Sequence, residues 1–140
     1  MNIPVRMNIL VPIDGSPASL RALDYAIAHY PKDSFVLLTV QNVAIPTELM
    51  YSDWKELLEQ AAAKALKGAT AKSEAAGVRF ETFVRMGAVI AEAIAQVARE
   101  KSIDHIVMGA RGLGSIQGLL LGSVATKVIH LAEVPITLIK

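Results

Sequence analysis

Short apolar runs alternate along this chain with segments in which apolar residues recur every three or four positions. The runs are Met7 to Ile13, Ser34 to Val40, Val78 to Val84, His105 to Met108 and Pro135 to Ile139. Leu20, Leu23, Ile27 and Tyr30 form the first helical stripe, with Ser16 as its cap, Pro17 at the first position and Pro31 as its stop. Asp53 and Glu56 resemble a capping box ahead of a stripe of Trp54, Leu57, Leu58, Ala61, Ala65 and Leu66, which Gly77 ends. Gly87 introduces a third helix with Ile90, Ile94, Val97 and Ala98 inside, and Val124, Val128 and Leu131 mark a fourth beginning near Ser123. Strand, helix and strand in strict alternation predict an α/β fold, a doubly wound five-stranded parallel sheet with helices on both faces.

The runs also predict the strand order. Strands covered on both faces read as unbroken apolar stretches, and less covered strands carry polar residues. Runs one, two and four are unbroken, whereas run three contains Arg79, Glu81 and Thr82 and run five contains Thr137. Placing three and five at the edges gives the order 3-2-1-4-5, with a crevice between strands one and four. Length supports this scale: 140 residues make one domain, residues 1–140, and 53% hydrophobic residues supply its core.

Composition removes several functions. A net charge of +1 without charge runs argues against nucleic acid as a partner. The absence of cysteine removes disulfides, thiolate metal sites and thiol catalysis, and suits a reducing cytoplasmic location. Mean hydropathy is high at +0.42, but no apolar stretch approaches the ~20 residues of a membrane span, and residues 1–7 do not read as a signal peptide. The expectation is no membrane partner.

Ligands of open α/β sheets bind beyond the carboxyl ends of the strands, where the strand order reverses. Strand one reaches that point at Pro12-Ile13-Asp14-Gly15, and strand four at Met108-Gly109. Five of the nine glycines fall between Gly109 and Gly122, ahead of the fourth helix. Glycines let main-chain amides converge on an anion, and a helix N-terminus adds donors and partial positive charge. Arg111 and the Ser123 hydroxyl can add to such a phosphate cradle. The same segment also reads as a loop ending in a helix cap. Asp14 has two readings as well: a carboxylate for ribose hydroxyls or for one bond to Mg2+, or a cap on the turn Asp14-Gly15-Ser16-Pro17.

The spacing Gly109-x2-Gly112-x9-Gly122-Ser123 fits the signature G-x2-G-x9-G-(S/T) of the universal stress protein family. Val11 to Ser16 and Val134 to Ile139 resemble the same family, so the likeness spans the chain. It implies a stress-response regulatory protein that binds an adenine nucleotide, usually ATP, with or without Mg2+. Pro12 and Asp14 would lie beside the nucleoside, Asp14 near the ribose or a metal, and Val40 would offer its backbone to the adenine. Met108, Gly109, Ala110, Arg111, Gly112, Leu113 and Gly114 would follow the ribose and phosphates, and Gly122, Ser123 and Val124 would hold the phosphates. The resemblance further implies a homodimer through the strand Pro135–Ile139, an exposed edge suited to pairing.

Catalysis finds little support in the residues. The Walker A pattern is absent, Gly112-x-Gly114 with Gly118 misses the dinucleotide fingerprint by one residue, and the glycine segment has no lysine. His29, His105 and His130 show no ligand spacing. A phosphorylation receiver would need clustered acids beside Asp14 and an Asp after strand three, where Val84-Arg85 stands. Slow or absent hydrolysis is expected, with autophosphorylation at Ser123 the most that the resemblance implies. A nucleotide-independent dimeric or chaperone-like protein is the alternative function. The segment Val43 to Tyr51, with Ile45, Leu49, Met50 and Tyr51, reads equally as cover for the adenine, as a partner surface or as packing on the second helix.

Overall fold

The computed structural model describes residues 6–41, 51–112 and 120–140. In chain order the elements are β1 (Asn8–Pro12), α1 (Pro17–His29), β2 (Ser34–Gln41), α2 (Tyr51–Ala76), β3 (Arg79–Met86), α3 (Ile90–Glu100), β4 (His105–Gly109), α4 (Ser123–Leu131) and β5 (Ile136–Ile139). The sheet runs β3-β2-β1-β4-β5, and every pairing is parallel. This is the expected order. The edge strands are runs three and five, as expected, and neither contains a residue as buried as those in the middle of the sheet.

Period-two alternation divides the core into two layers. Ile9, Val11, Phe35, Leu37 and Val107 face α1 and α2, while Leu10, Val36, Leu38, Ile106 and Met108 face α3 and α4. Burying a large apolar side chain from either set stabilises the fold by about 1.5–3 kcal/mol. A one-residue slip of any central strand would move each of its side chains to the opposite layer.

Helix ends follow the sequence closely at some points. Ser16 caps α1, its hydroxyl accepting from the Ser19 amide at 3.1 Å, with Pro17 at the first helical position. Gly77 stops α2 with φ of +68°, a left-handed conformation that glycine adopts without a Cβ clash. Other expectations need correction. Since α2 begins at Tyr51, Asp53 lies in its first turn and not at its cap. Its inner face is Trp54, Leu58, Ala62, Leu66 and Ala69, leaving Leu57 and Ala61 exposed. The third helix begins at Ile90 after Val89, beyond Gly87, and Leu131 of α4 is exposed while Ala125 is buried. Within the segment 43–51, Tyr51 opens α2 and residues 43–50 lie outside the described residues.

The crevice has a backbone cause. β1 and β4 are in register only at Ile9↔His105 and Leu10↔Ile106. β1 then continues with β2 through Val11↔Leu37 and Pro12↔Leu38, while β4 continues with β5 through Met108↔Leu138 and Gly109↔Ile139. The two halves of the sheet therefore part towards their carboxyl ends. Pro12 suits that position, because it has no amide to leave unpaired where the ladder splits.

Candidate functional site

Where β1 and β4 part, a cleft of about 460 Å³ opens. That volume falls within the ~300–1,000 Å³ of small-molecule sites. Its deep wall is apolar and buried: Ile13, Leu38, Ile94 and Met108. Its rim is polar and exposed: Asp14, Arg111 and Ser123. A flat, weakly polar body with one charged end matches such a surface.

Asp14 satisfies one of its sequence readings outright. Its Oδ1 accepts from the Ser16 amide at 2.9 Å, the bond of an Asx turn. Its Oδ2 faces Gly112 so closely that a Cβ there would collide with it. The carboxylate nevertheless lines the cleft. It is the only carboxylate among the described lining residues, and among the described residues no group of three or more His, Cys, Asp and Glu is placed to hold a metal ion. The described residues therefore do not fit a metal site built by the protein alone.

All four helices turn their amino ends towards the carboxyl ends of the strands, and the three whose first turns border the cleft, α1, α3 and α4, differ. On α1, Ser16 and Ser19 both line the cleft but spend their hydroxyls locally, Ser19 Oγ donating to the Ser16 carbonyl at 2.9 Å. α3 presents Ile90 and Ile94 to the cleft and carries Glu92 in its first turn. α4 starts after Gly122, which offers no side-chain cap, and its first turn has no acidic residue. The first-turn amides of a helix lack intrahelical acceptors and bear partial positive charge. The end of α4 is thus the one of the three best suited to an anion.

Of the residues singled out in the sequence, Pro12, Asp14, Val40, Met108, Gly109, Arg111, Gly112, Gly122, Ser123 and Val124 all line the cleft. Ala110 does not. It is buried, its amide donates to the Ile139 carbonyl at 2.7 Å, and its carbonyl accepts from the Gly122 amide at 2.7 Å. It pins the start of α4 to the tip of β5. Leu113 and Gly114 lie outside the described residues. Gly109 has a packing role besides its place in the wall: a Cβ there would lie 3.1 Å from the Ala18 carbonyl carbon and Cβ.

Sequence reasoning missed much of the other wall. Thr39 and Gln41 on β2, Ala65 on α2, and Ile90 and Ile94 on α3 also line the cleft. The Gln41 amide group donates to Thr39 Oγ1 at 3.4 Å. Thr39 interrupts the apolar stretch Phe35 to Val40 and is buried, a signal that could have marked it. His29 and His105 are engaged elsewhere. His29 Nδ1 lies 3.0 Å from the Tyr25 carbonyl, and His105 Nε2 lies 2.8 Å from Thr137 Oγ1. No helix among the described residues is long and apolar enough to cross a membrane.

The chain is similar in sequence and fold to known proteins. A universal stress protein of Methanocaldococcus jannaschii is 34% identical, covering 94% of this chain and 81% of its own. The structure of universal stress protein UspA from Lactobacillus plantarum superposes with a TM-score of 0.82 at 26% identity, covering 98% of this chain and 100% of its own. A universal stress protein solved in complex with cAMP is 28% identical with a TM-score of 0.72, covering 98% of this chain and 99% of its own. The model of the universal stress protein family matches residues 6–140, nearly the full length described by the cleft, its flanking helices and the five-stranded sheet. With the fold, the strand order and a family match of that extent in agreement, the chain belongs to the universal stress protein family.

Proposed function

We propose that residues 1–140 act as one adenine-nucleotide-binding regulatory unit, with ATP as a physiological ligand. The observation that carries this reading is the pairing of an apolar cleft with the uncapped start of α4 on its rim. The base would enter the apolar end formed by Val40, Leu38 and Ile94, with the backbone of Val40 at its edge. The ribose would lie near Pro12 and Asp14. Met108 to Gly114 would flank the ribose and phosphates, and Gly122, Ser123 and Val124 would hold the phosphates. The relative solved with cAMP supports an adenine nucleotide as the ligand class. Mg2+ would arrive with the phosphates, since among the described lining residues Asp14, already bonded to the Ser16 amide, is the only carboxylate.

The test is extraction of nucleotide from freshly purified protein, followed by thermal shift with ATP and Mg2+. Ligand at 100 times Kd should stabilise the fold by about 2.7 kcal/mol. No bound nucleotide and no shift would remove the reading. Turnover is expected to be slow or absent. Hydrolysis above about 1 s⁻¹, near the low end of ordinary enzymes, that vanished in Gly122→Val would contradict this.

An interaction role independent of nucleotide is favoured by one separate observation. Each residue of β5 is only half-buried, and Ile129 and Leu131 of the neighbouring α4 are exposed. An apolar edge of this kind pairs with a second copy. The expected assembly is a two-fold dimer through antiparallel Pro135–Ile139 strands, in a cytoplasmic setting suited to a chain without cysteine. Sedimentation of a monomer at micromolar concentration would refute it.

A further inference from the structure

β3 is the longer of the two sheet edges, and Arg79–Met86 contains neither proline nor glycine. Among the described residues only β2 pairs with it. The Gly87 amide donates to the Gln41 carbonyl at 3.2 Å, which sets the phase of the ladder. Odd-numbered residues of β3 bond towards β2, and Phe80, Thr82, Val84 and Met86 turn their main-chain groups outwards. Val84 and Met86 are also about half exposed. On the opposite, α3-facing side of the strand, the Glu81 carboxylate accepts from Lys101 at 3.0 Å and Arg85 donates to Glu100.

We propose that β3 pairs antiparallel with β3 of a second copy of this chain, about a two-fold axis at Phe83. In that register Glu81 of each copy lies opposite Arg85 of the other, Thr82 opposite Val84, and Phe80 opposite Met86. The even-numbered residues form the hydrogen-bonded pairs, since their main-chain groups point outwards. Glu81 and Arg85 meet at non-hydrogen-bonded positions, where side chains come closest. Charge selects the register. A shift of two residues one way sets Arg79 opposite Arg85, and the other way sets Arg85 opposite Phe83 and Glu81 opposite Gly87. Charges keep an edge unpaired when like meets like; here each meets its opposite. Pairing joins the ion pairs of the two copies into alternating runs, Lys101 and Glu81 of one with Arg85 and Glu100 of the other. It also covers Val84 and Met86. β5 lies at the far edge of the sheet, so this contact does not compete with a dimer formed there.

Sedimentation of the full chain and of Val84→Pro at micromolar concentration tests this. Proline removes one outward amide and leaves the ladder to β2 intact. The variant should sediment at half the wild-type mass or less, with an unchanged far-UV spectrum. A monomeric wild type, or an assembly that survives Val84→Pro undiminished and is therefore held elsewhere, would overturn the proposal. Charge reversal covers the case in which the proline unfolds the strand. Glu81→Arg sets like charges opposite each other twice and should raise the dissociation constant about tenfold or more. Adding Arg85→Glu restores opposite charges across the axis and should recover assembly. The same double change inverts both ion pairs within each copy, with Lys101 and with Glu100, and so lowers the thermal melt. A purely structural role for these residues makes assembly fall further along with the melt, and that result would overturn the proposal.

Discussion

Gly112 and Asp14 meet across the crevice: a side chain on Gly112 would strike Oδ2 of Asp14. The tip of β1 and the backbone leaving β4 are thereby in contact on the rim of the cleft. Only a glycine permits that approach. Gly112→Ala must displace one of the two, and because Gly112 is exposed the core is little affected. Nucleotide affinity is expected to fall at least about tenfold, about 1.4 kcal/mol, with a thermal melt close to that of the wild type. Titration calorimetry and circular dichroism would measure both, and an unchanged Kd would disconnect this contact from ligand binding.

Gly109 presents the opposite case. Its missing Cβ makes room for Ala18, at 3.1 Å from both the carbonyl carbon and Cβ. Gly109→Ala forces α1 away from β4 and should cost about 1–3 kcal/mol of stability by urea denaturation. Ala18→Gly in the same chain should recover part of that loss and not all, since the Ala18 backbone remains in the way. Full recovery would show that the side chain alone sets the approach.

The end of α2 tests backbone conformation without packing. A Cβ on Gly77 would meet nothing within 4 Å, yet its φ is +68°. Gly77→Ala should therefore destabilise by about 1–2 kcal/mol through the left-handed conformation alone. Gly77→Asn should lose less, because asparagine tolerates that region better. Equal losses for the two would argue against a conformational origin.

On the α3-facing side of β3, half-buried Arg85 donates to both carboxylate oxygens of Glu100, the last residue of α3, at 3.1 and 2.5 Å. Arg85 and Lys101 also lie 5.3 and 4.5 Å from the Phe83 ring. The hydrogen bond from Arg85 is the main cause that holds the Glu100 carboxyl below its ordinary value. A depressed carboxyl contributes stability above its unfolded pKa and loses it as pH falls through the folded one. The stability gap between wild type and Glu100→Gln should thus be small and level near neutral pH, shrink in acid, and diminish in high salt. A gap that widened in acid would contradict the assignment.

The sheet was legible because burial on both faces leaves its trace in consecutive apolar residues, as in Phe35-Val36-Leu37-Leu38, and partial cover leaves polar ones, as in Arg79 and Glu81. The phase of α2 was not. Its sequence is rich in alanine, which is equally at home inside and outside, so nothing in Ala61-Ala62-Ala63 says that the middle residue alone is buried. The position of the cleft followed from strand order, but its β2, α2 and α3 walls come from residues distant in sequence that only tertiary packing collects. Gly109 shows a further limit. A glycine that makes room for a neighbouring helix and one that bares an amide to a ligand look alike in a sequence, and only the surrounding atoms separate them.

The contrast between Ser16 and Gly122 gives the crevice a direction before anything enters it. One helix arrives stoppered, its hydroxyl turned back on its own first turn behind a proline that has no hydrogen to give. The other arrives bare. A molecule with a negative tail thus has a preferred way round, and reversing it would trade open donors for occupied ones. Orientation is written into how two helices begin, and the ligand has only to follow it.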